Sequence, residues 1–374
     1  MIKNPAIRIF VDAHVFDGEF QGTRTFIKGL YNELAKKKDL QLFIAARNTD
    51  NLKINFPNEG NIIFIRYRSR SSLKRLVFEI PALIKKYNID FAHFQYISPP
   101  IKSCKFIVTT HDIIFSEYPD EFPFLYRAYR KWLFKRSVKK ADIVTTVSEY
   151  SKNSIAKYLK TKPDIIHVIP NGVNEKYFES YDKQNSVSYI RNKYGFEKFI
   201  LFVSRIEPRK NHILLLKVFL ELKLYLKDLH LVFLGRESLS VPQLNRMIAN
   251  LPDNIKPYVF MNSEVGDSDL LEFYRAASIF VYPSKAEGFG IPPLEAAALK
   301  IPVICSNTSA MHEFAFFELN RINPYDSDQV KNTLFSILQD PPDKYVLNQI
   351  SRVIQEKYSW SNSAHQLYQL IKRD

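Results

Sequence analysis

Short apolar runs alternate with amphipathic stretches along most of this chain. Six runs in the first half predict buried strands, at residues 7–11, 41–45, 62–65, 91–94, 106–109 and 143–147. The stretches between them, such as 25–37 and 73–86, have the three-to-four-residue spacing of helices that pack on one face. Strands and helices that alternate in this way predict a doubly wound, mostly parallel α/β sheet.

A second series of strands follows a polar stretch, 174–195, which we interpret as a connection between domains. These strands are predicted from Phe199 and at 231–234, 258–261, 280–282 and 303–305. A chain of 374 residues exceeds the usual size of one hydrophobic core, and an apolar content of 46% supplies material for two. The pattern therefore predicts two α/β domains.

The clearest candidate for chemistry is the stretch 279–306, IFVYPSKAEGFGIPPLEAAALKIPVICS, in which Glu287 and Glu295 flank a turn between a strand and a helix. In parallel sheets, ligands bind beyond the carboxyl ends of the strands, where the N–H groups of a helix start favour a phosphate. Carboxylates would repel a phosphate, so we expect both to accept hydrogen bonds from hydroxyls on either side of it. Gly288 and Gly290 would let such a ligand lie on the turn. The pattern favours a nucleotide sugar; a capped, solvated helix start is the alternative.

A second strand end carries cations that suit the same ligand. The segment 199–212, FILFVSRIEPRKNH, places Arg205 and Lys210 just after an apolar strand. A guanidinium fork and a mobile ammonium can together neutralise a diphosphate and the negative charge that develops on it as it leaves. A solvated turn is the alternative, because charges after a strand commonly face water.

At these two segments the chain resembles the retaining glycosyltransferases of family 4, which have a GT-B fold. Their Glu-x7-Glu signature stands here as Glu287-GFGIPPL-Glu295, followed by AAA, and their strand-end motif stands as SRIEPRKN. Further similar segments follow in the expected order: DAHVFDGEFQGTRTF, HFQYISPP, TTHDIIFSEYPDEF, VSEYSKNSI, IPNGV and YSWSNSA. Two glycines that are usual in the family are replaced here, by Ser204 and Lys300.

The resemblance implies a role for individual residues. Lys210 and Arg205 would hold the diphosphate of the donor. Glu287 would contact and orient the donor sugar, Glu295 would contact the ribose hydroxyls, and His111 would stand near the reacting sugar. The residues whose backbone amides would support the diphosphate are Gly288, Phe289, Gly290 and Ile291.

The resemblance also implies how the domains are arranged. Residues 1–178 would form an acceptor-side Rossmann-like domain and residues 179–358 a nucleotide-sugar-binding one, and the two would face each other across a cleft. Residues 359–374 would form a helix that packs back on the first domain. The N-terminal loop, DGEFQGTR, has fewer glycines than is usual, and Gly22 in it would contact the donor.

The implied reaction is the transfer of a hexose from a nucleotide diphosphate to an acceptor hydroxyl, with retention at the anomeric carbon and without metal or cofactor. Mannose from GDP-mannose is the first expectation, because the HD and IEPRKN variants resemble mannosyltransferases. The acceptor would be a glycan or a polyprenyl-diphosphate-linked sugar in the assembly of a cell-surface polysaccharide such as lipopolysaccharide. A sugar-nucleotide epimerase or a phosphorylase could share the fold.

Positive charge is concentrated in the first half of the chain. Residues 1–180 contain 30 Lys and Arg against 18 Asp and Glu, whereas residues 181–374 contain 23 against 21. Much of the excess lies at 125–142, LYRAYRKWLFKRSVKKAD, where basic and aromatic residues are interleaved on a predicted helix. Such a helix suits an anionic membrane surface or a diphosphate-bearing acceptor, whereas a helix that packs on the domain with a solvated basic face is the alternative. A nucleic-acid-binding protein is a remote alternative, because the basic residues form no recognised module, and we expect no nucleic acid partner.

Targeting signals and cysteines add two expectations. The chain has no run of 18 apolar residues, and its start, MIKNPAIRIFVDA, lacks the apolar core and cleavage site of a signal peptide. We therefore expect a cytoplasmic protein or one at the inner face of the membrane. Cys104 and Cys305 lie beside predicted strands without ligand spacing, which predicts buried thiols.

Three further patterns have structural interpretations that need no ligand. Asp267 and Asp269 imitate a DxD metal motif, but the spacing of Asp269 and Glu272 predicts the capping box of a helix start. Asn171-Gly172 predicts a tight turn. His93 and Tyr96, after another predicted strand, suit either contact with an acceptor or packing of a loop.

Overall fold

The computed structural model describes residues 6–18, 22–57 and 59–374. Its backbone contacts divide the chain into two compact units. One unit runs to Gly172 and also contains Tyr358–Asp374, and the other is Val173–Lys357. Each unit is built on one parallel sheet, so the predicted α/β class with two Rossmann-like domains is confirmed.

The sheet of the first unit consists of parallel strands that are largely buried, as expected where helices cover both faces. The strands are β1 (Ile7–Asp12), β2 (Leu40–Ala46), β3 (Ile62–Arg66), β4 (Phe91–Gln95), β5 (Lys105–Thr109), β6 (Ile143–Thr146) and β7 (Ile166–Val168). Their spatial order is β3-β2-β1-β4-β5-β6-β7. The six predicted strands are confirmed to within a residue or two. The short edge strand β7 was not predicted, because the exposed His167 interrupts its apolar signal.

The helices of the first unit lie between these strands. They are α1 (Gly22–Leu34), α2 (Thr49–Asn55), α3 (Ser72–Lys74), α4 (Ile80–Lys86), α5 (Ile114–Glu117), α6 (Phe124–Lys140) and α7 (Glu149–Leu159). A π-helical turn, Arg75–Glu79, joins α3 to α4 inside the predicted helix 73–86. Pro81 follows this turn and has no N–H to donate to the carbonyl four residues earlier, which favours the wider turn there.

The second unit has a six-stranded parallel sheet, in the order β10-β9-β8-β11-β12-β13. Its strands are β8 (Phe199–Val203), β9 (His230–Leu234), β10 (Val259–Asn262), β11 (Ile279–Tyr282), β12 (Val303–Ser306) and β13 (Arg321–Ile322). The predicted strands are again confirmed, and β13, with two residues, was too short to predict from its sequence.

The helices of the second unit include one that the sequence did not reveal. They are α8 (Lys183–Tyr194), α9 (His212–Glu221), α10 (Pro242–Ala249), α11 (Asp267–Ala276), α12 (Ile291–Ala298), α13 (Ser327–Gln339) and α14 (Lys344–Lys357). The interpretation of 174–195 as a plain connection is wrong, because α8 occupies much of it. The ring of Tyr194 packs 4.7 Å from that of Phe273 on α11, and Ile190 is fully buried, so these two side chains help to hold a mostly polar helix on the unit.

The last helix, α15 (Trp360–Arg373), packs on the first unit against α1. The approach is close, because a Cβ at Gly29 would lie 2.1 Å from the ring of Trp360. A Cβ at Gly172 would lie 2.4 Å from the backbone nitrogen of the same tryptophan. The prediction of a tight turn at Asn171-Gly172 is wrong: the backbone there is not turned, and the glycine is required by the packing of Trp360.

The remaining expectations concern membranes and thiols. In the part of the chain that the structure describes, we find no helix whose length and apolarity would let it cross a bilayer. Cys305 is buried in β12, as predicted. Cys104 is only half-buried, so the prediction of a buried thiol is wrong there; it precedes β5 beside the exposed Lys105.

Candidate functional site

Two loops at the carboxyl edge of the second sheet carry most of the candidate residues. β8 and β11 are neighbouring parallel strands, so both end at the same edge. Residues 204–211, with a 3-10 turn at Pro208–Lys210, follow β8, and residues 283–290 follow β11. The sheet therefore brings the SRIEPRKN and EGFG segments side by side.

Glu287 lies at the centre of this arrangement, and its side chain is buried. Its Oε1 accepts hydrogen bonds from the Lys210 ammonium, from the Tyr282 hydroxyl at 3.0 Å and from Ser284 Oγ at 2.6 Å. The backbone N–H of Glu287 donates to Ser309 Oγ at 2.9 Å. The surrounding protein thus holds the carboxylate in one orientation.

Arg209 is a second cation at this carboxylate, and sequence reasoning missed it. Its NH1 lies 3.3 Å from Glu287 Oε2 and donates to the carbonyl of Ala286 at 2.7 Å. Its NH2 lies 2.8 Å from Glu207 Oε2. The signal that could have revealed it is Glu207, because an acid inside a cationic segment that becomes buried needs a paired cation.

Arg205 and Lys210, which were predicted as a pair of diphosphate cations, occupy different positions in this cluster. Lys210 is 5% exposed and contacts Glu287 directly. The side chain of Arg205 is 50% exposed and lies 3.1 Å from Glu207. The charges therefore run as one chain from the surface to the interior, in which Arg209 links the two carboxylates.

The charged side chains of this cluster, together with burial, shift one another's pKa values. Burial alone would raise the pKa of Glu287, but Lys210 and Arg209 lower it to about 2. Burial and the nearby Arg209 lower the pKa of Lys210 to about 8, against the opposing effect of Glu287. A buried lysine with a lowered pKa beside a fixed carboxylate is typical of functional sites.

The loop that carries Glu287 ends at a helix start with few N–H donors. Gly290 has φ +100°, and a Cβ there would lie 3.0 Å from the Met311 side chain, so the position requires glycine. α12 begins at Ile291, and the next two residues, Pro292 and Pro293, have no N–H. An anion at this helix start would therefore depend on the amides of residues 288–291, the same ones that the resemblance indicates.

Glu295 has surroundings quite different from those of Glu287. It lies in α12, half-buried, and its Oε2 accepts a hydrogen bond from the Tyr274 hydroxyl at 2.9 Å. Tyr177 is also hydrogen-bonded to it. Burial outweighs these bonds and raises the pKa of Glu295. The two glutamates of the motif thus differ in chemistry, because one is bound to cations and the other to phenols.

A further glycine near the site was missed from the sequence. Gly235 follows β9 with φ +142°, and a Cβ there would lie 2.1 Å from the carbonyl oxygen of Ser204. The glycine therefore lets the chain after β9 approach the loop after β8. The signal was the LVFLG pattern, an apolar strand that ends on glycine. Ser204 itself donates from Oγ to the carbonyl of Arg205 at 3.1 Å.

His111 belongs to the first unit, where it follows β5. Its Nε2 lies 2.7 Å from Gln95 Oε1, and its ring meets the edge of Phe26 with a centroid distance of 4.9 Å. Burial lowers the pKa of His111 to about 3, so the imidazole is neutral near pH 7.

His93 lies inside β4 and not in a loop. It is fully buried, and its two ring nitrogens lie 2.7 Å from the Tyr31 hydroxyl and from Thr109 Oγ1. Tyr96 follows β4, and its ring stacks 5.0 Å from that of Phe134. The contacts of His93 are those of a structural histidine in the core. The prediction that it packs in a loop is therefore wrong.

Gly22, the predicted N-terminal contact, is the first residue of α1 and is exposed. A Cβ at Gly22 would meet nothing within 4 Å, so the protein itself places no steric demand on this glycine. Residues 19–21 of the predicted contact loop lie outside the described residues.

The DxD-like pair opens α11, as predicted, but without a capping box. The N-cap is Gly266, and Glu272 pairs with Arg275 at 2.9 Å. Asp269 instead accepts hydrogen bonds from three groups that tie α11 to α8: the Tyr189 hydroxyl at 2.6 Å, Lys193 Nζ at 2.7 Å and the Tyr194 hydroxyl at 2.8 Å.

Two protein-family models match this chain, one in each half. The sequence model of Glycosyltransferase Family 4 matches residues 20–177, and that of Glycosyl transferases group 1 matches residues 186–355. The chain is 33% identical over 237 residues to the O-antigen chain mannosyltransferase RfbU of Salmonella typhimurium, an alignment that covers 63% of this chain and 61% of RfbU. It is 23% identical over 351 residues to the O-antigen chain mannosyltransferase B of Escherichia coli, which covers 90% of this chain and 91% of that protein.

Among solved structures, the fold matches that of Anabaena Alr3699/HepE in complex with UDP-glucose. The TM-score is 0.76 at 14% identity, and the match covers 98% of this chain and 99% of that chain. This similarity concerns the fold, which is the GT-B architecture of two Rossmann-like domains. With both halves matched by their family models, the chain belongs to the family 4 glycosyltransferases.

Proposed function

We propose that this protein is a retaining glycosyltransferase that transfers mannose from GDP-mannose to a hydroxyl of a glycan or polyprenyl-diphosphate-linked acceptor. The single observation that carries the proposal is the buried group of Lys210, Arg209 and Glu287 where β8 and β11 end. The choice of mannose rests on relatives that are named as O-antigen chain mannosyltransferases. The product would serve the assembly of a surface polysaccharide, on the cytoplasmic side of the membrane.

The diphosphate of the donor would bind along this row of charged side chains, from the buried end to the exposed end. Lys210 and Arg209 would hold the diphosphate, and Arg205 would reach it from the exposed end. The amides of residues 288–291 would bind the remaining oxygens. Glu287 would accept a hydrogen bond from a sugar hydroxyl, and Glu295, whose partners are neutral phenols, would accept from the ribose.

The cations would then act on the leaving group. When the bond between the anomeric carbon and the diphosphate oxygen breaks, the sugar gains positive charge and the diphosphate gains negative charge. Fixed cations in a buried site stabilise that charge without having to reorganise. The acceptor oxygen would form the new bond on the same face of the sugar, and its proton would pass to the departing phosphate. In this scheme Lys210 and Arg209 take the place of a divalent metal, and no cofactor takes part.

His111 would interact with the sugar by hydrogen bonding. A pKa of about 3 makes the imidazole a poor acid or base at pH 7. With Nε2 bound to Gln95, the neutral ring can still accept a hydrogen bond at Nδ1. Such a role fits the resemblance, which indicates His111 near the reacting sugar.

We propose that the protein acts at an anionic membrane surface, and the exposed residues of α6 support this location. Leu125, Tyr129 and Trp132 are 79%, 63% and 61% exposed, while the side of α6 with Phe134 and Val138 is buried. The simple alternative, in which the apolar residues pack on the domain, does not account for these exposed side chains. Exposed aromatic residues among Lys and Arg suit insertion at a negatively charged lipid interface.

The experiment is a thermal-shift screen of nucleotide sugars followed by a transfer assay. We expect GDP-mannose to raise the melting temperature more than UDP-glucose or UDP-galactose, and NMR of the product to show the anomeric configuration of the donor. Conversion of the donor without an acceptor would instead indicate an epimerase, and a requirement for orthophosphate would indicate a phosphorylase. Inversion at the anomeric carbon would contradict the proposed mechanism.

A further inference from the structure

A cavity of about 930 Å³ lies in the first unit, where β2 and β3 end. Its lining side chains are polar apart from one tyrosine: Arg47, Asn48, Thr49, Asp50, Arg66, Tyr67, Arg68 and Arg70. No step of the proposed transfer uses these residues. Four guanidinium groups at one cavity are an unusual concentration of a single charge and require an explanation.

The sheet register explains why these arginines share one cavity. Arg66, the last residue of β3, pairs with Ala46, the last residue of β2, and Arg47 follows directly. Beyond β3 the side chains alternate: Arg66, Arg68 and Arg70 are exposed, whereas Tyr67 between them is buried. In an extended chain, alternate residues point to the same side.

Two acids bind the backbone of the loops that carry these arginines. Asp17 accepts the backbone N–H groups of Arg47 and Asn48 at 2.9 and 2.7 Å. Glu79 accepts those of Arg68 and Ser69 at 2.5 and 3.0 Å. These hydrogen bonds fix the backbone of the two loops. They do not involve the guanidinium groups of Arg47 and Arg68.

The acid among the lining residues, Asp50, is paired with a lysine. Asp50 lies 3.0 Å from Lys53 on α2. Across residues 6–18, 22–57 and 59–374, the ion pairs that we find include none with the side chains of the four arginines. The cavity therefore carries positive charge that the protein does not neutralise, and an anionic ligand would relieve the repulsion among the four groups.

The geometry points to a diphosphate as the ligand class. Guanidinium groups bind phosphate oxygens through paired N–H donors, and four of them match two adjacent phosphate groups better than a single carboxylate. We propose that this cavity binds a diphosphate group and, on the basis of the proposed transferase function, that the group belongs to the acceptor. The anomeric end of the acceptor would then be held through its diphosphate.

Binding to the full chain can be measured by calorimetry with inorganic pyrophosphate and with farnesyl diphosphate as probes. The test variant is Arg66→Gln with Arg68→Gln and Arg70→Gln, which removes three exposed charges that make no ion pair. The control variant removes three exposed charges from the second unit: Lys256→Gln, Lys344→Gln and Arg352→Gln. We expect the test variant to lose at least about tenfold in diphosphate affinity and the control less than about twofold, because only the test variant removes charge-assisted contacts to the phosphate oxygens.

The outcomes separate this proposal from the proposed function. If pyrophosphate binding is equal in the test and control variants but is lost in Arg209→Gln, the probe binds the donor site alone and the acceptor-site proposal fails, while the donor site stands. If the test variant loses pyrophosphate binding but no nucleotide sugar binds the wild type, the anion site stands and the transferase proposal fails. Tighter binding of farnesyl diphosphate would indicate a lipid-linked source, and equal binding a soluble one. Competition by glucuronate but not by pyrophosphate would overturn the diphosphate assignment.

Discussion

The ammonium of Lys210 donates a hydrogen bond to the carboxylate of Glu287, a residue 77 positions further along the chain. Both side chains are buried, and Arg209 approaches the same carboxylate from the other side. Buried ion pairs are often neutral or unfavourable for stability, because both charges lose their water. The same loss of water is the main cause that lowers the pKa of Lys210. The proposed role in binding the donor diphosphate would account for a buried charged group at this strand end.

Replacing Lys210 by alanine should lower the turnover with the donor by at least about a hundredfold, since a fixed charge that stabilises a leaving group commonly contributes that much. Glu287→Ala should give a similar loss. Circular dichroism would check that both variants fold, and Arg352→Gln, on the exposed side of α14, serves as a control that should retain wild-type activity. Near-native turnover in a folded Lys210→Ala variant would contradict the assignment.

Arg209 should matter more than Arg205, although both belong to the same motif. Arg209 is buried between two carboxylates, whereas the side chain of Arg205 is half-exposed and its charge is screened by water. We expect Arg209→Gln to lose at least about a hundredfold in kcat/KM and Arg205→Gln less than about tenfold. Parallel steady-state assays would measure both. A larger loss in Arg205→Gln than in Arg209→Gln would contradict the prediction and show that the exposed arginine contributes more to donor binding.

Donor binding should weaken as the pH rises through about 8. Lys210 has a pKa of about 8 in the folded protein, below its ordinary value of 10.5, so it loses its proton there while free lysines stay charged. Only the protonated ammonium attracts a diphosphate. The kcat/KM for the donor, which reports the free enzyme, should therefore be flat below pH 7 and fall above pH 8. Lys210→Arg should move the fall to higher pH, and a wild-type profile that stays level to pH 10 would refute the prediction.

Lys300→Gly should stabilise the protein. Lys300 follows α12 with φ +62°, a conformation that costs a residue with a side chain about 1 kcal/mol and that glycine adopts freely. We expect a gain of about 0.5–1 kcal/mol in the free energy of unfolding, measured with urea. Lys300→Ala is the matched control, because it removes the same side chain but keeps the strain, and an equal gain in both variants would rule out this cause.

The exposed aromatic residues of α6 should bind anionic membranes. Sedimentation with liposomes that contain anionic phospholipid, at physiological salt, should recover the wild type with the lipid. A variant with Tyr129→Ser and Trp132→Ser should remain largely in the supernatant, because it loses the side chains that would enter the interface. The Lys256→Gln variant controls for charge on another surface. Failure of the wild type to sediment would remove membrane binding from the proposal.

Much of the second sheet could be read from its sequence. The runs that became β8, β9, β11 and β12 are apolar over their whole length, which is what strands covered on both faces require. α8 was missed for the opposite reason. Its sequence is mostly polar, and the contacts that hold it on the unit, such as that of Tyr194 with Phe273, join residues far apart in the chain.

The candidate site shows the same division. The sequence indicated Lys210 and Glu287, because each stands in a short motif whose residue types suit a phosphate or a hydroxyl. It did not indicate that Arg209 contacts Glu287, because that contact forms only where the ends of β8 and β11 lie side by side. Nor did it show that Glu295 has neutral partners, Tyr177 and Tyr274, because these come from elements far from it in the chain.

By itself, then, the sequence determined the fold class, the family and the motifs of the site, because apolar periodicity and contiguous motifs are local properties of a chain. Only the tertiary structure decided which cations meet Glu287, which aromatic residues of α6 stay exposed, and that the arginines after β2 and β3 line one cavity. These relations depend on which strands are neighbours in a sheet and on what remains uncovered after packing. They arise from contacts between residues distant in the sequence, so no local pattern contains them.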